Sequence, residues 1–326
     1  MRTKDKQQRR LLADPDPLKL FQPELNYYRR YNATPFQFRN KTFLALYKRL
    51  NIQIVVTKTC NFRCGFCIEN DTVSGKTKTD LVAICKSLRE LLRDTTYAGL
   101  RPCISITGGE PSFALETVAA VLDICTAHGI DTTNVNTNGT TLAKLPQGRG
   151  TFNVSRHHYD QDKINNIFVT NRSDPLDSLP PRTSMQCVAL NGYIDNLDEC
   201  RKYMAHWAAR GAAGFSFRGL SSLDAGKNYA AEIAWTRAHH IDIGRIADAA
   251  ANATDFQFIQ QKIGDHYWYE ICKWNNLPVR FTYSDFDWLR CVEQAERDVD
   301  AWFTRVMIVH PNGDVFSGWT YDINKV

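Results

Sequence analysis

Cys60, Cys64 and Cys67 lie within nine residues, Thr59-Cys60-Asn61-Phe62-Arg63-Cys64-Gly65-Phe66-Cys67, spaced C-x3-C-x2-C. Thiolates are metal ligands. Three on one loop fall one short of the four that close a structural zinc site. They suit three irons of a [4Fe–4S] cluster, which cysteine thiolates bind, and leave the fourth iron open to a ligand. Just ahead runs Ile52-Gln53-Ile54-Val55-Val56, apolar and β-branched, a buried strand by pattern. About 40 residues on, Gly108-Gly109-Glu110-Pro111 ends a second apolar run, Cys103-Ile104-Ser105-Ile106-Thr107. Glycines allow close backbone approach, and a carboxylate suits an ammonium.

With Phe66 just before the last cysteine and Gly108 to Pro111 downstream, the chain resembles the radical S-adenosylmethionine (radical SAM) superfamily over roughly residues 50–220. Its barrel region is similar to the molybdenum-cofactor cyclase-like branch. The absence of a second cysteine cluster among the other seven cysteines implies a single-cluster member. The resemblance implies a [4Fe–4S] cluster on Cys60, Cys64 and Cys67, and S-adenosylmethionine (SAM) held in part by Gly108, Gly109, Glu110 and Pro111. Asn136 and Asn138 match the segment beside the SAM adenosine, and Ser155 a strand-end serine on the ribose or carboxylate. Asn191 stands where relatives often carry a basic residue, and Arg218 where a polar strand-end residue meets the SAM carboxylate or the substrate. A flavodoxin- or ferredoxin-type electron donor is the implied partner.

Arg156-His157-His158-Tyr159 departs from the Ser-x-Asp-Ser pattern of the cyclase-like branch. His157 and His158 on a strand-end loop suit hydrogen bonding to a polar substrate, or proton movement near neutral pH; a purely structural role is the competing reading. Cys291 is a candidate hydrogen-atom donor, because the helical spacing of Cys85, Cys125, Cys200 and Cys272 assigns those four to apolar faces. Cys103 opens its strand, away from the end where a barrel does its chemistry. Cys187 lies mid-strand.

Strand and helix patterns alternate from residue 50 to 220, which predicts βαβ units and a parallel sheet. The expected strands are 52–56, 103–107, 131–136, 151–155, 184–190 and 215–217. Helices are expected from Thr79 or Asp80, from Ser112, and over 195–211. The expected fold is α/β: a partial (β/α)6 radical SAM barrel over 46–225, after an irregular N-terminal arm, 1–45. A small α+β extension, 226–326, would cover the barrel mouth. In it the pattern predicts helices near 231–253 and 262–275, a helix from about Val292, and a hairpin turning at Asn312-Gly313. Thr42 to Tyr47 reads as an extra strand ahead of the barrel.

The 326 residues carry a formal net charge of +5 and are 43% hydrophobic, an ordinary globular composition. No eighteen-residue apolar run suggests a membrane span, and the basic N-terminus lacks an apolar signal core. Ten cysteines then point to a reducing, cytoplasmic setting. No basic face suggests nucleic acid. The expected function is hydrogen abstraction from a small polar metabolite (a sugar, aminoglycoside, nucleoside or nucleotide), leading to epimerisation, dehydrogenation or rearrangement. A peptide- or protein-modifying enzyme and a non-enzymatic metal module are the alternatives.

Overall fold

The structure, a computed structural model, describes residues 33–67, 78–170, 176–221, 230–263, 266–298, 302–318 and 325–326. Strands β1 (Thr34–Phe38) and β2 (Lys41–Ala45) form an antiparallel hairpin. Phe36, Phe38 and Phe43 are buried on one face of it. The segment expected as an irregular arm is therefore regular from Thr34 onward; its first 32 residues lie outside the described ones.

Six strands then follow: β3 (Arg49–Val55), β4 (Arg101–Thr107), β5 (Thr133–Thr137), β6 (Thr151–Ser155), β7 (Thr183–Ala189) and β8 (Gly214–Gly219). They lie side by side in sequence order, each parallel to the next. Helices α1 (Leu81–Tyr97), α2 (Leu115–Ala127), α3 (Gln161–Phe168) and α4 (Leu197–Ala208) make crossovers. Each crossover returns the chain to the same end of the sheet, so every strand of the six ends where the cysteine loop begins. The Asp80 carboxylate caps α1 by accepting the Ala83 N–H at 2.9 Å. Between β5 and β6 the connection is a 3-10 turn, Leu142–Lys144.

Side-chain alternation divides the sheet. Ile52, Ile104, Val135, Phe152, Met185 and Phe217 are buried against the helices. Their neighbours Gln53, Ser105, Asn134, Asn153, Gln186 and Ser216 are only half-buried, because adjacent strand residues point to opposite faces. A parallel sheet packed on both faces would be apolar on both. This one is apolar outside and polar within.

Helices α5 (Ala230–His239) and α6 (Ile243–Asn252) divide the single helix expected over 231–253. The Asp242 carboxylate caps α6 through the Gly244 N–H at 2.9 Å. The helix expected over 262–275 is instead two strands of a meander: β9 (Phe256–Ile263), β10 (Tyr267–Trp274) and β11 (Leu277–Ser284). Trp268, Glu270 and Cys272 are buried and alternate with half-buried Tyr267, Tyr269 and Ile271, a period of two rather than 3.6. Asn275 and Asn276 turn the β10–β11 hairpin with φ of 47° and 63°, the two positive values a type I′ turn needs.

β11 pairs parallel with β8, so the meander lengthens the barrel sheet. Helix α7 (Phe286–Asp298) starts six residues before the expected point at Val292. After it β12 (Phe303–Thr304) joins β2, β13 (Val306–Val309) joins β3 in parallel, and β14 (Val315–Phe316) closes the expected hairpin. The C-terminal strands thus extend both sides of the sheet, in the order β14-β13-β3-β4-β5-β6-β7-β8-β11-β10-β9. Lys262 of the edge strand β9 lies 5.2 Å from the ring of Tyr47, just ahead of β3, so the sheet curls toward closure. Among the described residues no helix is long and apolar enough to cross a membrane.

A buried ion pair ties α7 to the strand after it: both Arg305 Nη atoms meet the Glu296 carboxylate, at 2.7 and 2.8 Å. Truncating one partner strands the other charge. Arg305→Ala should lower unfolding free energy in urea titrations by about 3–5 kcal/mol; a loss under about 1 kcal/mol, the surface-pair range, would contradict the pairing.

Candidate active site

The cysteine loop is held from below and from both sides. Below, Gly109 N–H donates to the Thr57 carbonyl at 2.8 Å and Glu110 N–H to the Thr59 carbonyl at 2.7 Å. A Cβ on Gly108 would stand 2.4 Å from the Thr57 oxygen, and one on Gly109 2.3 Å from the Thr59 oxygen. Both glycines are required by the contact between two strand ends, and Gly108 also takes a φ of 152°. On one side Phe62 stacks on Phe168, centroids 4.4 Å apart, and Arg63 N–H donates to the Phe168 carbonyl. On the other, the Trp235 indole of α5 lies over Gly65, where a Cβ would meet it at 2.6 Å.

Glu110 is expected in contact with a ligand ammonium, but its side chain is fully buried and turned inward. It accepts from the Ser112 N–H at 3.1 Å, the Thr137 hydroxyl at 2.7 Å and the Asn138 N–H at 2.7 Å. Three donors satisfy a buried carboxylate without a cation. Asn138 in turn donates from Nδ2 to Asn61 Oδ1 at 2.8 Å, with the Cys60 sulfur 3.9 Å away. The carboxylate is thus linked through Asn138 to the cysteine loop. Pro111 opens the 3-10 turn that Glu110 caps.

Cys60 is exposed, and Cys64 and Cys67 are half-buried. Burial raises the Cys60 pKa against the opposing Phe62 N–H. Burial raises that of Cys64 further, and Cys67 and Cys60 add repulsion. The three thiols thus lie within one another's field, a cost that a bound cation reverses. Among the described residues no three His, Cys, Asp or Glu groups converge on one ion. A [4Fe–4S] cluster asks for one thiolate per iron, and Cys60, Cys64 and Cys67 supply that donor chemistry on one loop.

Asn136 lies inside the sheet, donating to the Ser105 hydroxyl at 3.0 Å and accepting from Asn153 Nδ2 at 2.9 Å. Ser155 ends β6, half-buried. Asn191 is exposed beyond β7 and donates its N–H to the His239 carbonyl. Arg218 ends β8 on the inner face and keeps solvent access. Cys187 points outward, its thiol against the His157 carbonyl. Cys291 is exposed on α7.

His157 is buried, its ring edge-on to Phe66 at 5.0 Å and to Phe168 at 5.3 Å. Its Nδ1 accepts the Val188 N–H at 3.0 Å, so a neutral ring carries its proton on Nε2. Burial, then the Arg156 charge, brings its pKa down to about 3. His158 accepts the Asp160 N–H at 2.9 Å and stacks near Tyr159. Burial lowers its pKa to about 4; Lys163 and His206 push the same way, against Asp160 and Glu199. Both rings are neutral at pH 7, with Nδ1 already committed.

Trp235 and the inner-face residues Lys262, Tyr267, Tyr269 and Arg280 escaped the sequence reading. The Asn275-Asn276 pair was the available signal for the last three.

Residues 54–177 match the radical SAM superfamily. That segment holds the three cysteines, the two glycines with Glu110, and both histidines. The chain is similar to the GTP 3′,8-cyclase of Syntrophomonas wolfei, 26% identical over 175 residues, 48% of this chain and 52% of the relative. It is similar to that of Stenotrophomonas maltophilia, 26% identical over 58% of this chain and 59% of the relative. Molybdenum cofactor biosynthesis protein 1 of Homo sapiens is 32% identical over 39% of this chain and 20% of the relative. The chain thus spans about half or less of these relatives' length. The solved structure of anSMEcpe with bound AdoMet is 13% identical, covers 85% of this chain and 74% of that one, and has a TM-score of 0.45.

Glu110→Ala should unfold more easily by about 3 kcal/mol, since hydrogen bonds to a charged group are lost and their donors stay buried. Urea titration checks this; an unchanged midpoint would contradict it. The histidines predict a pH dependence. Their folded pKa values lie below the ordinary 6.5, so below that pH the unfolded chain binds protons the folded one refuses. Stability should fall from pH 6.5 toward 4 by up to about 1.4 kcal/mol per pH unit for each histidine. His157→Gln should flatten that slope in thermal melts at pH 5 and 7.

Proposed function

We propose that this chain is a radical SAM enzyme acting on a small polar metabolite. Among the expected substrates, a nucleotide agrees best with the relatives named GTP 3′,8-cyclase. Cys60, Cys64 and Cys67 would hold the [4Fe–4S] cluster; when bound, cluster and SAM supply one-electron cleavage of the sulfonium and hydrogen abstraction from the substrate. The observation that carries this reading is the clasp between strand ends. Thr57 and Thr59, which lead into the cysteine loop, accept from Gly109 and Glu110, so metal ligands and glycine segment form one surface.

The chain's own residues divide the work. Gly108 and Gly109 would offer backbone to the SAM amino group, while Glu110 fixes Asn138 and the loop. Asn136, Ser155 and Asn191 would line the adenosine side. His157, neutral and wedged against Phe66, keeps the loop's aromatic flank in place and excludes water there. A flavodoxin- or ferredoxin-type donor would supply electrons, in a cytoplasmic setting.

Anaerobic reconstitution tests the reading. The wild-type chain should take up about four irons, the content of one [4Fe–4S] cluster, and release 5′-deoxyadenosine from SAM with dithionite. Cys60→Ala, Cys64→Ala and Cys67→Ala should each lose both. Full iron content in any of these variants would overturn the ligand assignment.

A further inference from the structure

Arg218 and Arg280 stand on the inner face of adjacent strands. The register pairs Arg218 with Thr282 and Ser216 with Arg280, so the two arginines are diagonal neighbours. Both side chains keep solvent access. Burial lowers the pKa of each, and Arg280 lowers that of Arg218 further by repulsion. Among the described residues neither arginine meets a carboxylate. Strands β6 to β11 carry one acidic residue, Glu270, and it is buried on the outer face.

The surroundings orient the pair. Arg280 lies 4.4 Å over the Tyr269 ring, which holds its plane. Tyr267 runs parallel to Tyr269, centroids 6.3 Å apart at 9°. Lys262 pairs with Tyr269 in register and lies 5.9 Å from the Tyr267 ring. Three cations with phenols beside them share the inner face of the sheet. Arg218 and Thr282 lie near the C-terminal ends of their strands, the end at which β3 delivers the cysteine loop.

We propose that Arg218 and Arg280 clasp a phosphoryl group of the substrate. Two planar guanidinium forks match a doubly charged group with several acceptor oxygens better than a single carboxylate. A dianion between them replaces mutual repulsion with two charge-assisted contacts. The proposal rests on the enzymatic reading above and names its substrate class. It also gives Arg218 to the substrate in preference to the SAM carboxylate.

Binding of inorganic pyrophosphate to the reconstituted protein, followed by calorimetry at fixed ionic strength, tests it. Wild type should bind saturably. Arg218→Gln and Arg280→Gln should each weaken binding about tenfold or more, the effect of losing a charged hydrogen-bonding partner. Arg280→Lys, which keeps charge without the fork, should fall between. Iron content should stay that of wild type in all three. Cys60→Ala, lacking the cluster, should bind pyrophosphate as wild type does. Loss of the radical reading would therefore show in that variant's iron and SAM cleavage, separately from the anion result. Absent pyrophosphate binding, wild-type affinity in both Gln variants, equal affinity for citrate, or displacement of pyrophosphate by SAM would each overturn the proposal.

Discussion

A carboxylate with no cation beside it sits at the junction of three segments. Glu110 is fully buried and accepts from Ser112, Thr137 and Asn138. Burying an ion costs several kcal/mol unless its oxygens are matched. The arrangement of the ends of β4 and β5 matches them. That arrangement sets Asn138, Asn138 sets Asn61, and Asn61 is the residue after Cys60. The position of Cys60 is thus traceable to a hydrogen-bonding demand two residues removed from it. A shorter or neutral side chain at 110 would leave buried donors unpaired rather than expose a ligand site.

The glycines serve the same junction. Sequence reading assigns Gly108 and Gly109 to the approach of a ligand. The structure shows a nearer cause, backbone oxygens of Thr57 and Thr59 where side chains would have to stand. The two causes are compatible, because a surface smooth enough for one strand end to lie on another also presents bare backbone above it. Gly65 repeats the logic with a different partner. Trp235 fills its missing side chain, so a helix from the C-terminal third of the chain completes the wall of a loop near its beginning.

The barrel strands and the cysteine loop were legible because both are local. Ile52 to Val56 and Cys103 to Thr107 announce themselves by composition, and C-x3-C-x2-C by spacing alone. The meander was not legible. Its strands bury Trp268 and Cys272 on one face and set Tyr267 and Tyr269 on the other, so nearly every residue is apolar or aromatic and the alternation is masked. Large residues on both faces follow from position: one side packs under α6, and the other lines a hollow. Glu110 was legible as an important residue but not in its orientation, since a motif gives a side chain's identity and not its hydrogen-bond partners. Arg280 had no local signal, because its meaning depends on Arg218, more than sixty residues earlier.

The division between the sheet's two faces explains where charge is tolerated. Away from the inner face a buried ion is matched, as in the Arg305–Glu296 pair. Inside, the neutral ladder of Ser105, Asn134, Asn136, Asn153 and Gln186 satisfies itself strand by strand. This gives a wall of mutually hydrogen-bonded neutral side chains across β4 to β7. Where β8 meets the meander, the charged residues of the inner face are the positive Arg218, Arg280 and Lys262. His157 and His158 lie between these regions and are held neutral by burial, so they add no positive charge that would draw an anion toward the cysteine loop. The field within the barrel is therefore graded. The cysteine-loop side carries Glu110, whose charge acts on Cys60, and the β8–β11 side carries the paired arginines. A ligand with an anionic end and a neutral polar body would enter oriented, its anion toward β8 and β11 and its uncharged end toward β3.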